Sequence, residues 1–395
     1  MQRGIQGEHV VQQTSPEPFK AYVPAPLPPD PALQFDSALI QDIAAANLSL
    51  GRLDGIQRVL PDVSLLLYFY VRKEAVLSSQ IEGTQSSLSD LLLFESDELP
   101  GVPLDDVQEV SRYVAAMEHG LRRLKEEFPL SSRLLREIHG VLLSQGRGSD
   151  KEPGEFRRSQ NWISGTRPGA AVFVPPPPDR VPELMSGLEN FLHECRDFSP
   201  LIRAALAHVQ FESIHPFLDG NGRLGRLLIT LLLCWERVLS EPLLYLSLYF
   251  KANRTEYFDL LQSVRLNGNW EDWVRFFLKG VRTTADQAVE TSTKIVELFE
   301  RDRKTAERAH APASVLRLHR FVQRRPIFTI PIAAAALGMT QAGIGNAVDR
   351  LETMRILRRF GTRQRNRLYA YQEYLELLSQ GTQPMPVSAS QSGTT

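Results

Sequence analysis

From residue 32 onward, apolar positions recur at spacings of three and four, the period of a helix with one buried face. Residues 32–51 place Leu33, Leu39, Ile40, Ile43 and Leu48 in this way, and residues 63–82 form a long apolar block stopped at Gly83, a residue type suited to a helix end. Ser87 stands as a cap ahead of a short helix over 88–94. Residues 103–124, with Val107, Val110, Val114, Met117, Leu121 and Leu124, and residues 131–143 predict two more amphipathic helices. Further helices are predicted over 201–211, 224–239, 243–250, 253–266 and 270–279, followed by a charged connector helix over 281–309. The run 227–235 is apolar all round but too short to cross a bilayer, so it reads as a helix buried on every side.

Three stretches depart from that pattern. Residues 1–31 are polar and Pro-rich, which predicts an extended arm laid over the domain or a disordered one. In residues 153–178, β-prone pieces at 161–163 and 171–174 flank a Gly-bounded turn at 165–169, a β-hairpin terminated by four prolines. Residues 313–378 read as a helix (314–323), a β-prone piece (327–330), a helix-turn-helix with Gly338 in the turn, and a wing. The expected fold class is mainly α: a helical bundle with a β-hairpin flap and a C-terminal winged helix-turn-helix domain. Its expected parts are an arm (1–31), an N-terminal helical region (32–110), a central core (111–280), a connector (281–312), the winged unit (313–379) and a disordered Ser/Thr/Gln-rich tail (380–395).

A net charge of −1 and 43% hydrophobic residues give no global bias toward nucleic acid or membrane. The C-terminal end is locally basic: Arg350, Arg355, Arg358, Arg359, Arg363, Arg365 and Arg367 face only Asp349 and Glu352, a stripe able to meet DNA phosphates or a protein partner. Two cysteines, Cys195 and Cys234, make a disulfide framework improbable, and no Cys/His spacing suits a metal. With no signal pattern and no long apolar run, the expected location is cytoplasmic, without a membrane partner.

The chemistry is concentrated at 214–226, I-HPFLDGNGRLGR. Pro216 disfavours helix at the preceding residue, so His215 is expected at a helix end with its imidazole projecting into the loop. Gly220, Asn221 and Gly222 precede the next helix, where flexible backbone and the helix dipole favour an anion, most naturally phosphate. Arg223 and Arg226 add permanent cations on one face of the first turn, and Asp219 offers the oxygen ligand a Mg²⁺ on phosphates needs.

The order H-P-F-x-D-G-N-G-R-x-x-R resembles the signature of Fic-domain proteins at every fixed position. The resemblance implies a Fic-fold bundle in which His215 is the general base and Asp219 the metal ligand. Gly220, Asn221 and Gly222 would be the phosphate cradle, Arg223 and Arg226 the clamps on the outer phosphates, Leu224 and Gly225 part of the same ATP-binding stretch, and Phe217 inward packing. It implies ATP as substrate, Mg²⁺ as cofactor, and transfer of AMP to a Ser, Thr or Tyr hydroxyl of a target protein or of the chain itself. Gly222 resembles the AMP-transferring members and not the kinase-like ones, which carry a larger residue there.

Upstream, Ser78, Glu82 and Gly83 resemble the family's inhibitory-helix motif [ST]-x-x-x-E-[GN], which implies that Glu82 pairs with Arg226 and obstructs the outer phosphate of ATP. The run P-G-x-F-R…Q-N-W-I (153–163) with its Pro run resembles the flap that aligns a target segment by strand addition, with Arg157, Gln160 and Asn161 fixing it. Residues 253–265 resemble the segment whose aromatic pair lines the nucleotide pocket, here Tyr257 and Phe258, one of which is expected in the core. His139, on an apolar face, is expected to pack. Other readings are removal of AMP with Glu82 placing a water, use of a different nucleotide, and a DNA-binding regulator that senses nucleotide; a homodimer is also compatible.

Overall fold

The computed structural model describes residues 3–13, 17–56, 63–95, 102–361 and 367–385. The elements run β1 (Gly7–Gln12), β2 (Phe19–Pro24), α1 (Ser37–Ile56), α2 (Val63–Ile81), α3 (Leu88–Phe94), α4 (Leu104–Lys125), α5 (Ser132–Leu142), α6 (Val181–Glu194), α7 (Pro200–Ile214) and α8 (Asn221–Trp235). After them come α9 (Ser247–Ala252), α10 (Arg254–Asn267), α11 (Trp270–Arg308), α12 (Ala313–Arg324), β3 (Ile327–Thr329), α13 (Ile330–Leu337), α14 (Gln341–Thr353), β4 (Arg358–Phe360), β5 (Leu368–Ala370) and α15 (Gln372–Leu378).

The centre is the pair α7 and α8. Every residue of α7 after Pro200 is buried, as is α8 from Arg223 to Leu233, because α6, α10, α11 and β2 cover the first while α2, α4 and α5 cover the second. A helix buried all round must satisfy its own polar side chains. Arg203 does so through the Leu192 carbonyl at 2.9 Å and Glu236 at 2.7 Å. Ser199 caps α7 by accepting from Ile202 N–H, and Pro200 occupies the first turn, where a missing N–H costs nothing.

α11 runs for 39 residues without interruption. The break expected near residue 280 does not occur, because Gly280 serves a different purpose: a Cβ there would stand 2.7 Å from Cδ1 of Tyr249, so the glycine permits close approach of α9 and does not end the helix. Near its start, Trp273 donates its indole N–H to the Ala205 carbonyl at 2.9 Å, and near its end Asp302 accepts from the Tyr371 hydroxyl at 2.6 Å. Beyond it, α12, α13 and α14 accompany a three-stranded antiparallel sheet in the order β3-β5-β4. Gly338 ends α13 in the left-handed conformation, and the Thr340 hydroxyl caps α14. Arg363 and Arg365 lie outside the described residues.

Other expectations are narrowed or corrected. Of the two alternatives for the N-terminus, the extended arm laid over the domain is the one seen: residues 7–12 and 19–24 pair as antiparallel β1 and β2, and Ala21, Tyr22 and Val23 are buried. The flap is not a two-stranded hairpin: one bridge, Ile163 to Phe173, closes it, with a single 3-10 turn at Pro168–Ala170. Pro175 to Pro178 have no N–H, so no ladder extends past the bridge. The helix over 243–250 begins only at Ser247, α8 begins three residues before residue 224, and α6 was not anticipated. The tail is ordered as far as it is described: Thr382 is 1% exposed, while residues 386–395 lie outside the description.

Because Trp273 fills the contact between α11 and α7, Trp273→Ala should cost roughly 3–5 kcal/mol. The measurement is the shift of the urea midpoint, with an unshifted midpoint contradicting the packing described.

Candidate active site

The loop between α7 and α8 begins and ends in left-handed backbone. His215 has φ 49° and ψ 62°, and Gly220 has φ 76°. A histidine rarely takes that region, and three contacts hold it there: its N–H reaches Phe211 O at 2.9 Å, Arg157 Nε donates to its carbonyl at 2.9 Å, and Arg157 N–H donates to Pro216 O at 2.9 Å. The 157 guanidinium also reaches Pro176 O at 2.5 Å, so one buried arginine ties the flap to the histidine. Gln160 donates to Pro175 O and Asn161 to Phe217 O, both at 2.9 Å. All three flap residues therefore fix the flap, as the sequence suggests.

Inside the loop, Phe217 is fully buried and stacks on the His139 ring with centroids 3.8 Å apart. Both ends of the Asn221 amide bond to Phe217, Oδ1 accepting its N–H at 2.9 Å and Nδ2 donating to its carbonyl at 2.8 Å. That side chain braces the loop, so both ends of the amide expected to bind phosphate are already engaged. No side chain caps α8, and its first helical bond runs from Leu224 N–H to Gly220 O, so the N–H groups of 221, 222 and 223 precede the ladder and face the loop uncapped. Leu224 itself is buried and can offer only backbone.

His139 does more than pack. It accepts from Gly154 N–H at Nδ1, 2.8 Å, which leaves Nε2 as the donor to Asp219 O at 3.0 Å. Burial, with Arg223 nearby, pushes its pKa down to about 4. Burial pushes His215 down to about 3, helped by Arg157 and Arg265, so its imidazole is neutral at ordinary pH.

Asp219 is partly exposed; Oδ1 accepts Gly220 N–H at 2.5 Å and stands 3.4 Å from Arg223 Nη2, while Oδ2 lies against Gly148, where a Cβ would come within 2.6 Å. Among the described residues no three His, Cys, Asp or Glu side chains converge to hold a metal alone. One carboxylate at the rim of a phosphate cradle nevertheless suits a Mg²⁺ that takes its remaining ligands from phosphates and water.

The sequence-derived pair is present. Arg226 Nη2 donates to Glu82 Oε1 at 2.7 Å and to Ser78 O at 2.9 Å, and Nε donates to Ser78 Oγ at 2.9 Å. Burial raises the Glu82 carboxyl, but Arg226 more than offsets it and holds the group below the usual range. Glu82 passes directly over Gly222, where any Cβ would overlap Oε1. Gly83, with φ 103°, follows at once and turns the chain out of α2.

Of the aromatic pair, Tyr257 is in the core and Phe258 is 39% exposed, beneath the Arg254 guanidinium at 5.0 Å. Tyr257 OH donates to His208 Nε2 at 2.8 Å, and His208 Nδ1 donates to Gly225 O at 2.9 Å. Tyr257 thus anchors α8 and does not line an open pocket. Neither His208 nor Glu109, described below, was singled out from sequence; both sit on helices whose spacing carries no sign of a partner far along the chain.

The site is therefore a glycine-punctuated loop joining two buried helices, with a neutral histidine at one end and an uncapped helix start at the other. Residues 40–122 match the Fic/DOC family N-terminal model and residues 129–233 the Fic/DOC family model, so the chain carries a Fic domain preceded by the family's N-terminal region. A Fic family protein from Desulfovibrio desulfuricans G20 has the same fold, with a TM-score of 0.58 at 22% identity over 86% of this chain and 97% of that one. Curated relatives named Protein adenylyltransferase Fic, from Culex quinquefasciatus and Aedes aegypti, are each 34% identical over 212 residues, 52% of this chain and 39% of the relative. The chain thus spans about two fifths of the length of those relatives.

His139, His208 and His215 are held neutral, each with a folded pKa below the unfolded value, so their contribution to stability is complete above about pH 6.5 and is lost as pH falls toward 4 and 3. Within that window each group should add a slope of about 1.4 kcal/mol per pH unit. Denaturation followed from pH 7 to pH 4 measures it, and His208→Gln should flatten the curve; equal slopes would refute the assignment.

Proposed function

We propose that the chain transfers AMP from ATP to a Ser, Thr or Tyr hydroxyl of a target protein, and of itself, and that it rests in an inhibited state. The observation that supports this is a neutral His215 imidazole on the short loop that leads into the uncapped start of α8, with two arginines on that helix. His215 takes the hydroxyl proton as the oxygen attacks the α-phosphorus; the bond from that phosphorus to its bridging oxygen breaks and pyrophosphate leaves. The N–H groups of 221–223 meet the charge that builds on the phosphoryl oxygens, and Arg223 and Arg226 neutralise the leaving group. Asp219 would hold Mg²⁺, whose chemistry when bound is to neutralise phosphate charge. Phe258, exposed at the edge of α10, is the ring left free to stack on the nucleotide.

Target segments would dock at the flap, where Trp162 and Val172 are exposed. Glu82 acts as the brake: paired with Arg226 over Gly222, it occupies the guanidinium an outer phosphate needs and stands across the cradle. The C-terminal unit is read as a winged helix, with Arg350, Arg355, Arg358 and Arg359 exposed for a nucleic-acid or protein partner. Among the described residues no helix is long and apolar enough to cross a membrane.

With ATP labelled at the α-phosphate, Glu82→Gly should raise automodification roughly tenfold, equivalent to about 1.4 kcal/mol of barrier. Adding His215→Ala to that variant should lower the rate by about 10²–10⁴. Undiminished labelling without the imidazole would overturn the mechanism, and an unchanged rate in Glu82→Gly would overturn the brake.

A further inference from the structure

Arg223 is 3% exposed and touches two carboxylates: Glu109 Oε1 at 3.1 Å from Nη1, and Asp219 Oδ1 at 3.4 Å from Nη2. Glu109, on α4, is itself buried and gathers more than one partner. Arg147 reaches its other oxygen at 2.7 Å, and the buried Thr84 hydroxyl, one residue past Gly83, donates to Oε1 at 3.0 Å. A guanidinium that water cannot reach is strongly destabilised by losing a partner it already has. Without Glu109, the carboxylate that Arg223 still touches is Asp219.

We infer that Glu109 is a positioning residue for the AMP-transfer site, sharing Arg223 with Asp219 so that the guanidinium is not drawn wholly onto that carboxylate, faces the outer phosphates and leaves Asp219 available to a metal. This rests on the reading of residues 215–226 given above. The link through Thr84 places the end of the inhibitory helix on the same carboxylate, so the arginine clamp and the brake share a support.

Calorimetric titrations of ATP, inorganic pyrophosphate and AMP in the Glu82→Gly background test it. Glu109→Ala should weaken ATP and pyrophosphate roughly tenfold, leave AMP within about twofold, and add nothing to Arg223→Ala; Glu109→Gln, which keeps the shape, should shift the same two ligands less. Equal losses for all three ligands would mean a deformed site and would overturn the inference, as would unchanged ATP binding in a folded Glu109→Ala protein. If Arg223→Ala itself leaves ATP binding intact, the clamp assignment fails first, a result distinct from failure of Glu109 alone.

A different observation carries a second inference. Beyond α15 the chain turns back onto α2: Gln80, between Ser78 and Glu82, donates Nε2 to Thr382 O and to Ser86 O, both at 2.8 Å. Lys251 joins the two segments, donating to Gln80 Oε1 at 2.6 Å, to Gly381 O at 3.1 Å and to Gln383 O. Along the same helix, Phe69 meets Tyr374 of α15 edge to face, with centroids 5.4 Å apart. We propose that residues 379–383 clasp the inhibitory helix in its braking position, so that displacement of the C-terminal unit releases it.

Lys251→Ala, and separately a chain ending at Ser379, should each raise automodification severalfold and speed hydrogen exchange in residues 74–84. Neither change should add to the rate of Glu82→Gly. No rise in either variant, or an equal rise on top of Glu82→Gly, would overturn the clasp.

Discussion

The contact on which the molecule turns is the ion pair between Arg226 and Glu82, at 2.7 Å. It joins two elements far apart in sequence, and it exists only because residue 222 has no side chain to stand in its way. Any side chain at that position would overlap the Glu82 carboxylate, so the pair depends on the glycine. Ser78 supports the arrangement from below with two bonds to the same guanidinium, so helix α2 and helix α8 meet through a short polar seam inside an otherwise apolar interface. A charge buried at that depth tolerates few alternatives, because an unpartnered guanidinium there would carry the whole desolvation penalty.

The surrounding polar side chains follow the same economy. Three histidines are neutral because burial removes the option of charge, and two of them engage both ring nitrogens: His139 with the backbone of Gly154 and Asp219, His208 with the Tyr257 hydroxyl and the Gly225 carbonyl. Buried rings with both nitrogens engaged have one tautomer and one orientation. His139 holds the loop at Asp219 and His208 ties the first turns of α8 to α10, leaving His215 as the imidazole at the loop itself.

Much of this was legible in the chain. The 214–226 stretch announced a helix end, a turn and a helix start because Pro216 and the glycines act locally, and the helical period survives burial. The Glu82 pairing was legible by resemblance, since its motif is contiguous. What could not be read lies in contacts between distant segments. Glu109 looks like one more charge on an amphipathic helix, yet Arg223, Arg147 and Thr84 all turn toward it. Gly280 suggested a helix end because local propensity cannot see Tyr249 pressing against it from α9. The N-terminal prolines left an extended arm and disorder both open, and the pairing of β1 with β2, which local composition cannot show, decides for the arm. The flap misled in the opposite sense, because β-prone residues cannot form a ladder when the next four positions have no hydrogen to donate.

Helix α11 carries a mechanical consequence. At 1.5 Å per residue its 39 residues reach roughly 58 Å, with one end pinned to Ala205 on α7 and the other to Tyr371 beside the C-terminal sheet. A continuous helix resists bending far better than a loop linker of equal length, so the far unit is mounted on a lever whose fulcrum is the buried α7 of the central bundle. Over that span a tilt of about 5° carries the far tip about 5 Å, a geometric gain that joints of flexible chain do not supply.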